Sequence, residues 1–323
     1  MTLAVPTTRQ YPGRGANGGQ PVYAHQMSDG AYGRNYASLR PKTKPLVHTI
    51  GAGGITAFGA VSATQIDVIS FPDNQILIEM YQNTAQTLLP RLVVGTETDG
   101  LEIGLDLVDN ETVEYVVGGN HNANPYAYTV GTSAPAAFRC TMRLADGSGT
   151  DNFGIGWRKV QAYAAAVAPI FLAATDPTYT DFVFLGVAAA GVDQPIIRTC
   201  TDLNDSAVPV LGSTGITWAD GKVHTLEVRI YGRRVVYFIN GKRMGDRVSK
   251  DGLGAALTAQ DGLTPPVFNF DTGDILVPFI FNRFATTTPG LIHIVPNGVL
   301  PGIEVGPLSE MGLDNANLQM LSL

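Results

Sequence analysis

The sequence predicts an all-β protein: a two-sheet antiparallel sandwich preceded by an extended basic arm. Three observations carry this. Apolar and polar residues alternate with a period of two along most of the chain from about residue 55. The 37 glycines and 20 prolines are spread over all 323 residues, as expected for many short strands joined by tight turns. The first 50 residues, by contrast, lack apolar periodicity and hold six Lys/Arg against one Asp.

The bulk numbers bound the rest. A hydrophobic content of 45% supplies a sizeable core, while 15% charged residues lies below the usual level of about a quarter. The arm carries a net +5 within a chain of net −7, so the remainder carries −12. That asymmetry suggests docking of the arm onto an acidic neighbour. It contains no Lys/Arg block, which argues against nucleic acid as a partner. Two cysteines, Cys140 and Cys200, are too few for a disulfide framework; they read as buried or half-buried free thiols, with a single bridge as the alternative. No charged segment precedes an apolar stretch at the N-terminus, so no signal peptide is expected. No apolar run reaches 18 residues, so no membrane span is expected either.

Taken in order, residues 1–50 form the arm. Glycines and prolines there are interrupted by tyrosines, whose apolar ring and polar tip make them common interface anchors. The candidate partner-binding residues are Arg9, Tyr11, Arg14, Tyr23, Tyr32, Arg34, Tyr36 and Arg40. Residues 51–295 form the sandwich. Strands are expected at 65–69 and 75–79, flanking the turn Phe71-Pro72-Asp73-Asn74, then at 92–94, 101–106 and 112–117. Residues 118–125 read as a loop. Strand patterns return at 137–144, 153–157, 182–187 and 195–199. Residues 160–174 are the one helical candidate, limited to two or three turns by Pro169.

The clearest pattern lies at 223–244. Leu226, Val228 and Ile230 face one way, and Glu227 and Arg229 the other. Gly232-Arg233 turns the chain, and Asn240-Gly241 is a type I′ hairpin signal. An apolar strand follows at 274–281, where Pro278 predicts a sheet edge or a bulge. Leu291-Ile292-His293-Ile294 is expected to close the sheet. Residues 296–323 read as a tail, with a short helix at 313–323.

The segment Asp220-Gly221-Lys222-Val223-His224-Thr225-Leu226-Glu227-Val228-Arg229-Ile230, with Val235-Val236-Tyr237-Phe238-Ile239-Asn240-Gly241, resembles the hairpin pair of concanavalin A-like and laminin-G-like jelly rolls. More widely, residues 99–290 resemble structural proteins of tailed bacteriophages. Gly100-Leu101-Glu102-Ile103 with Asp106, Phe138 to Asp146, Ser148 to Asp151, Gly156 to Lys159, Trp218 to Gly221 and Val277-Pro278-Phe279 carry that resemblance. The arm and the last thirty or so residues lie outside it. The resemblance implies a jelly roll and a virion protein assembled in the host cytoplasm. Its partners would be the major capsid protein or other virion subunits, and it would be a homo-oligomer, such as a trimer.

Catalytic patterns are not apparent along any one strand. Glycosidases on this fold resemble Glu-x-Asp-x-x-Glu on a single strand, a retaining pair about 5 Å apart, and no such run occurs. Glu102 and Asp106 share a predicted face but stand about 13 Å apart at the strand rise, which reads as surface alternation. The histidines His25, His48, His121, His224 and His293 are scattered, with no metal-ligand spacing. Asp146 to Gly149 and Asp202 to Asp205 are explained by turn chemistry rather than calcium. No cofactor and no metal site are therefore expected, and the chain reads as non-enzymatic. The leading expectation is a head-decoration (cement) protein docking on the capsid through its arm. The alternative is a tail-associated receptor- or glycan-binding module on the same sandwich, engaging a cell-surface glycan through Trp157, Trp218, Tyr179 and Asn122.

Overall fold

Strand formation follows the alternation closely. A computed structural model describes residues 37–39, 46–49, 66–71, 76–82, 91–93, 100–103, 111–146, 152–163, 179, 181–187, 195–202, 210–244, 270–284, 292–295, 302–311 and 313. Among them are nineteen strands and no helix. In chain order these are β1 (Ala37–Leu39), β2 (Leu46–Thr49), β3 (Ile66–Phe71), β4 (Ile76–Gln82), β5 (Arg91–Val93), β6 (Gly100–Ile103) and β7 (Glu111–Val117). Then come β8 (Tyr128–Thr129), β9 (Ala136–Leu144), β10 (Asn152–Lys159), β11 (Phe182–Val187), β12 (Ile196–Asp202) and β13 (Val210–Thr217). The last are β14 (Val223–Tyr231), β15 (Arg234–Ile239), β16 (Lys242–Met244), β17 (Ile275–Phe284), β18 (Ile292–Ile294) and β19 (Ile303–Pro307).

They form two antiparallel sheets, the all-β jelly-roll sandwich expected from the sequence. The first runs β16-β15-β14-β9-β18-β6-β5, with β19 also on β9 and β1 on β19. The second runs β13-β12-β11-β10-β17-β7-β4-β3-β2, with β8 on β17. Each sheet is organised by a long strand that changes partner along one edge. β9 pairs β19 over Ala136–Cys140 and β18 over Met142–Leu144. At the seam, the Thr141 N–H donates to the Gly302 carbonyl at 2.8 Å, and the Val295 N–H donates to the Thr141 carbonyl at 3.0 Å.

β17 behaves likewise and corrects an expectation. Pro278 predicts an edge or a bulge, yet β17 is central, between β10 and β7. Leu276 pairs with β8 and Phe279 with β7, so Pro278 falls where the strand changes partner. A residue without an N–H is tolerated there, because the ladder on that side is already interrupted.

The sandwich also crosses the limits of 51 and 295 drawn from the sequence. β1 pairs β19, and β2 pairs β3, so residues 37–39 and 46–49 belong to the sheets. Ile303 and Val305 of β19 are buried in the core although the tail shows little pattern. A five-residue strand between Pro and Gly residues is too short to show its period. β18 lies inside its sheet, between β9 and β6, rather than closing it. Of the helical candidate at 160–174, residues 160–163 are non-helical; its remainder and the helix expected at 313–323 lie outside the described residues, apart from Leu313.

Between the sheets, Phe138, Cys140 and Met142 of β9 and Leu226, Val228 and Ile230 of β14 meet Phe153, Ile155 and Trp157 of β10 and Val183 and Leu185 of β11. Trp157 ties the layers together: its indole N–H donates to the Val228 carbonyl at 3.2 Å. Its ring meets Tyr128 and Phe138 edge-on, with centroids 6.4 and 6.3 Å away. A second apolar cluster covers the outer face of the ten-stranded sheet, where Phe184, Phe279 and Phe281 lie beside Tyr81, Tyr163 and Tyr179. Gly154, Gly156 and Gly186 make this packing feasible. A Cβ on Gly156 would run into the Val183 carbonyl oxygen and stand 3.0 Å from the Phe279 ring.

Candidate functional site

The outer face of the ten-stranded sheet places two carboxylates on adjacent strands. β4 pairs β7 with Tyr81 opposite Glu114 and Glu79 opposite Val116, so Glu79, Tyr81 and Glu114 share one face. β10 delivers Arg158 to the same face from across β17. Its Nε donates to Glu114 Oε1 at 2.9 Å and its Nη2 donates to the same oxygen. Its Nη1 donates to Asn120 Oδ1 and to the Lys159 carbonyl, both at 3.0 Å. The guanidinium carbon lies 4.7 Å from the Tyr179 ring centre and 5.9 Å from that of Phe279.

The second oxygen of Glu114 and one oxygen of Glu79 are also engaged. The Tyr179 hydroxyl donates to Glu114 Oε2 at 2.7 Å. Glu79 Oε2 accepts the Tyr81 hydroxyl and the Asn120 backbone N–H, the latter at 2.8 Å. Asn120 in turn donates its side-chain amide to the Gln161 carbonyl at 2.8 Å. The loop that supplies Asn120 is held by Asn124, whose Nδ2 donates to the Val117 and Gly119 carbonyls at 2.8 and 2.6 Å. Gly118 and Gly119 adopt φ of 81° and 96° beneath it, and a Cβ on Gly118 would strike the Asn124 and Tyr126 side chains.

This site is sealed. Glu114 and Arg158 are 0% exposed and Glu79 is 4% exposed. Burial disfavours the Arg158 cation, but the neighbouring Glu114 carboxylate and the facing tyrosines outweigh it and hold its pKa above the ordinary value. Burial, reinforced by the negative charge of Glu114, pushes the Tyr179 hydroxyl well up; burial and then Glu79 do the same for Tyr81. Both phenols therefore remain donors. The set acts as a clasp joining β4, β7, β10, the 118–126 loop and Tyr179.

The nine-stranded sheet carries a comparable row on its outer face. Glu304, Arg139 and Glu227 stand opposite one another on β19, β9 and β14. Arg139 donates to Glu227 and Glu304, each at 2.9 Å. Arg229 pairs with Glu227 and lies 3.9 Å over the Phe238 ring. All four charged groups are buried. Glu102, which the sequence assigns to surface alternation, is also buried, opposite His293 of β18.

The residues proposed from sequence are distributed differently. Trp157 is in the sandwich core. Trp218 is fully buried, its N–H donating to the Lys222 carbonyl at 2.9 Å and its ring packed on Phe153 and His224. Tyr179 belongs to the clasp. A sugar platform needs an exposed ring face, and these three rings have none; Asn122 alone of that set is exposed, at a loop tip. Arg9, Tyr11, Arg14, Tyr23, Tyr32, Arg34, Tyr36 and Arg40 lie outside the described residues. Cys140 and Cys200 are buried free thiols, one between the sheets and one on an outer face. Among the described residues, no three His, Cys, Asp or Glu side chains converge as a metal site, and no helix is long and apolar enough to cross a membrane.

Sequence reasoning missed Glu79 and Glu114 because it sought two carboxylates on one strand, whereas the pair forms across strands. The available signal was a lone carboxylate inside each of two otherwise apolar segments, Ile76 to Tyr81 and Val113 to Val117.

No protein-family model matches the chain, and no characterised protein matches it in sequence. Solved structures do resemble it. The carbohydrate recognition domain of Emp47p is 10% identical, with a TM-score of 0.40, over 84% of this chain and 92% of that one. The legume lectin-like domain from Entamoeba histolytica is 9% identical, with a TM-score of 0.37, over 71% and 86%. A Bacillus licheniformis β-glucanase is 10% identical, with a TM-score of 0.35, over 84% and 96%. These are lectin-like and glucanase jelly-roll sandwiches, and at such identities neither ligand nor activity passes from them to this chain.

Proposed function

We propose that the chain is a structural, non-catalytic protein. More narrowly, it is a virion component of a tailed bacteriophage: a head-decoration protein that docks on the capsid through its N-terminal residues. One observation carries the non-catalytic reading. The two carboxylates best placed for chemistry are bonded to Arg158, Tyr179, Tyr81 and the Asn120 N–H and have almost no exposed surface, and a general acid or base must come within hydrogen-bond reach of its substrate. The virion reading is supported by the sequence resemblance at residues 99–290, the low charge content and the basic, tyrosine-bearing N-terminal segment.

Quantifying the protein in purified particles tests this. Hundreds of copies per particle support the head assignment; roughly three to eighteen favour the tail-associated alternative, where symmetry dictates small rings. Absence from particles overturns both. Because Ala37–Leu39 pairs with β19, the informative truncation removes residues 1–36 and leaves the sheets whole. That variant should fold and fail to incorporate. Hydrolysis of a β-glucan that is lost in Glu114→Gln would overturn the non-catalytic reading.

A further inference from the structure

Asn282 lies on the inner face of β17, between the two sheets. Its register partners are Val113 on β7 and Phe153 on β10, and Ile280 precedes it by two residues on its own strand. All three belong to the core, with at most 1% of their surface exposed, whereas Phe279 and Phe281 of β17 face the outer cluster. Asn282 itself is 0% exposed. Among the described residues, it alone has two buried side-chain polar atoms without a hydrogen-bond partner, the donor Nδ2 and the acceptor Oδ1. We propose that Asn282 binds an internal water molecule, which bridges its amide inside the sandwich.

The strand pairing explains why the surrounding chain does not satisfy this amide. β17 is paired on both sides here: Phe281, Asn282 and Arg283 each have a register partner on β7 and another on β10. The main-chain N–H groups around Asn282 are therefore spent in the two ladders. The side chains beside it in the row are apolar. Trp218, which packs on Phe153 with ring centres 5.1 Å apart, already donates its N–H to the Lys222 carbonyl. An amide in such surroundings forfeits the hydrogen bonds that it makes in water and gains none, an outcome that native cores avoid.

The chemistry of the amide selects the ligand. It presents N–H donors and a carbonyl acceptor, so the ligand must both accept and donate. The ligand must be neutral, because an ion beside Val113, Phe153 and Ile280 would meet no opposite charge. It must also be small, since these side chains are closed to solvent and interiors are packed to crystal-like density. Water meets all three demands. It accepts from Nδ2–H, donates to Oδ1 and keeps its second proton for the spare lone pair of a strand carbonyl. Proteins retain roughly one such water per 27 residues, each tied to polar groups that would otherwise be unsatisfied. The inference rests on burial and pairing alone and is independent of the virion reading.

Two measurements on the full chain in solution test the proposal. In rotating-frame water–protein NMR spectra, the Asn282 side-chain NH2 pair, assigned through its own Cβ, should show a cross-peak to water opposite in sign to chemical exchange. Oxygen-17 relaxation dispersion of the solvent should show one fewer long-lived water per chain in Asn282→Leu, which keeps a similar volume and removes both polar atoms. An amide pair without that cross-peak overturns the proposal, as does a dispersion amplitude that Asn282→Leu leaves unchanged. If the variant does not fold, the wild-type cross-peak decides alone.

Discussion

Arg158→Met isolates the energetic weight of the clasp. Arg158 has no exposed surface, and the substitution keeps an unbranched apolar stem while removing four hydrogen bonds and a cation stacked on Tyr179 and Phe279. The cost arises mainly from what remains. Glu114 becomes a carboxylate in the protein interior with the Tyr179 hydroxyl as its one remaining donor among the described residues. Breaking a buried pair from one side costs about 3–5 kcal/mol. Neutralising the survivor should recover part of this, so Arg158→Met with Glu114→Gln should be more stable than Arg158→Met alone, with a coupling energy of about 2 kcal/mol. Urea unfolding read by fluorescence is suitable because Trp157 and Trp218 are both fully buried and report on the core. The midpoint should fall with an unchanged slope. A loss below about 1 kcal/mol for Arg158→Met, or a double variant less stable than both singles, would refute the reasoning.

Three further outcomes are expected. Gly156→Ala should cost more than about 3 kcal/mol or prevent folding, because its Cβ would meet the Val183 carbonyl of the paired strand; an unchanged thermal midpoint would contradict the packing described. Stability should fall steeply as pH rises above 10. Tyr126 ionises near 10 when unfolded but only at about 12 when folded, so the unfolded state loses its proton first, and this group alone contributes about 3 kcal/mol that Tyr126→Phe removes from the alkaline limb. On the acid side, burial and then Lys222 lower the pKa of His224, whose Nδ1 accepts the Asn240 side-chain amide at 2.9 Å. The unfolded state therefore gains its proton first, and stability contributed by this residue is lost as pH falls below about 6.5. An NMR titration placing His224 at or above that value would contradict this.

The legible parts of the fold were those with local causes. Asn240-Gly241 predicts a type I′ turn, and both residues have positive φ, 52° and 76°. Leu226, Val228 and Ile230 face the core as their alternation requires. β13 escaped notice because Gly212 and Gly215 interrupt its pattern, and its pairing with β12 shifts register after Ile196. The site was less legible. Glu114 and Arg158 are 44 residues apart, on strands separated by β17, which enters the chain more than a hundred residues later. Nothing in either segment names the other.

By itself, the sequence determined which segments are extended, where the tight turns lie and which residues share a face, because these follow from backbone sterics and a period of two. Only the tertiary structure decided which strands are neighbours and which outward faces are covered. A charged residue on a strand reads as solvated until something packs over it. Glu79, Glu114 and Arg158 follow the same alternation as surface residues would, and their neighbours in space, rather than in sequence, make them a sealed ionic clasp.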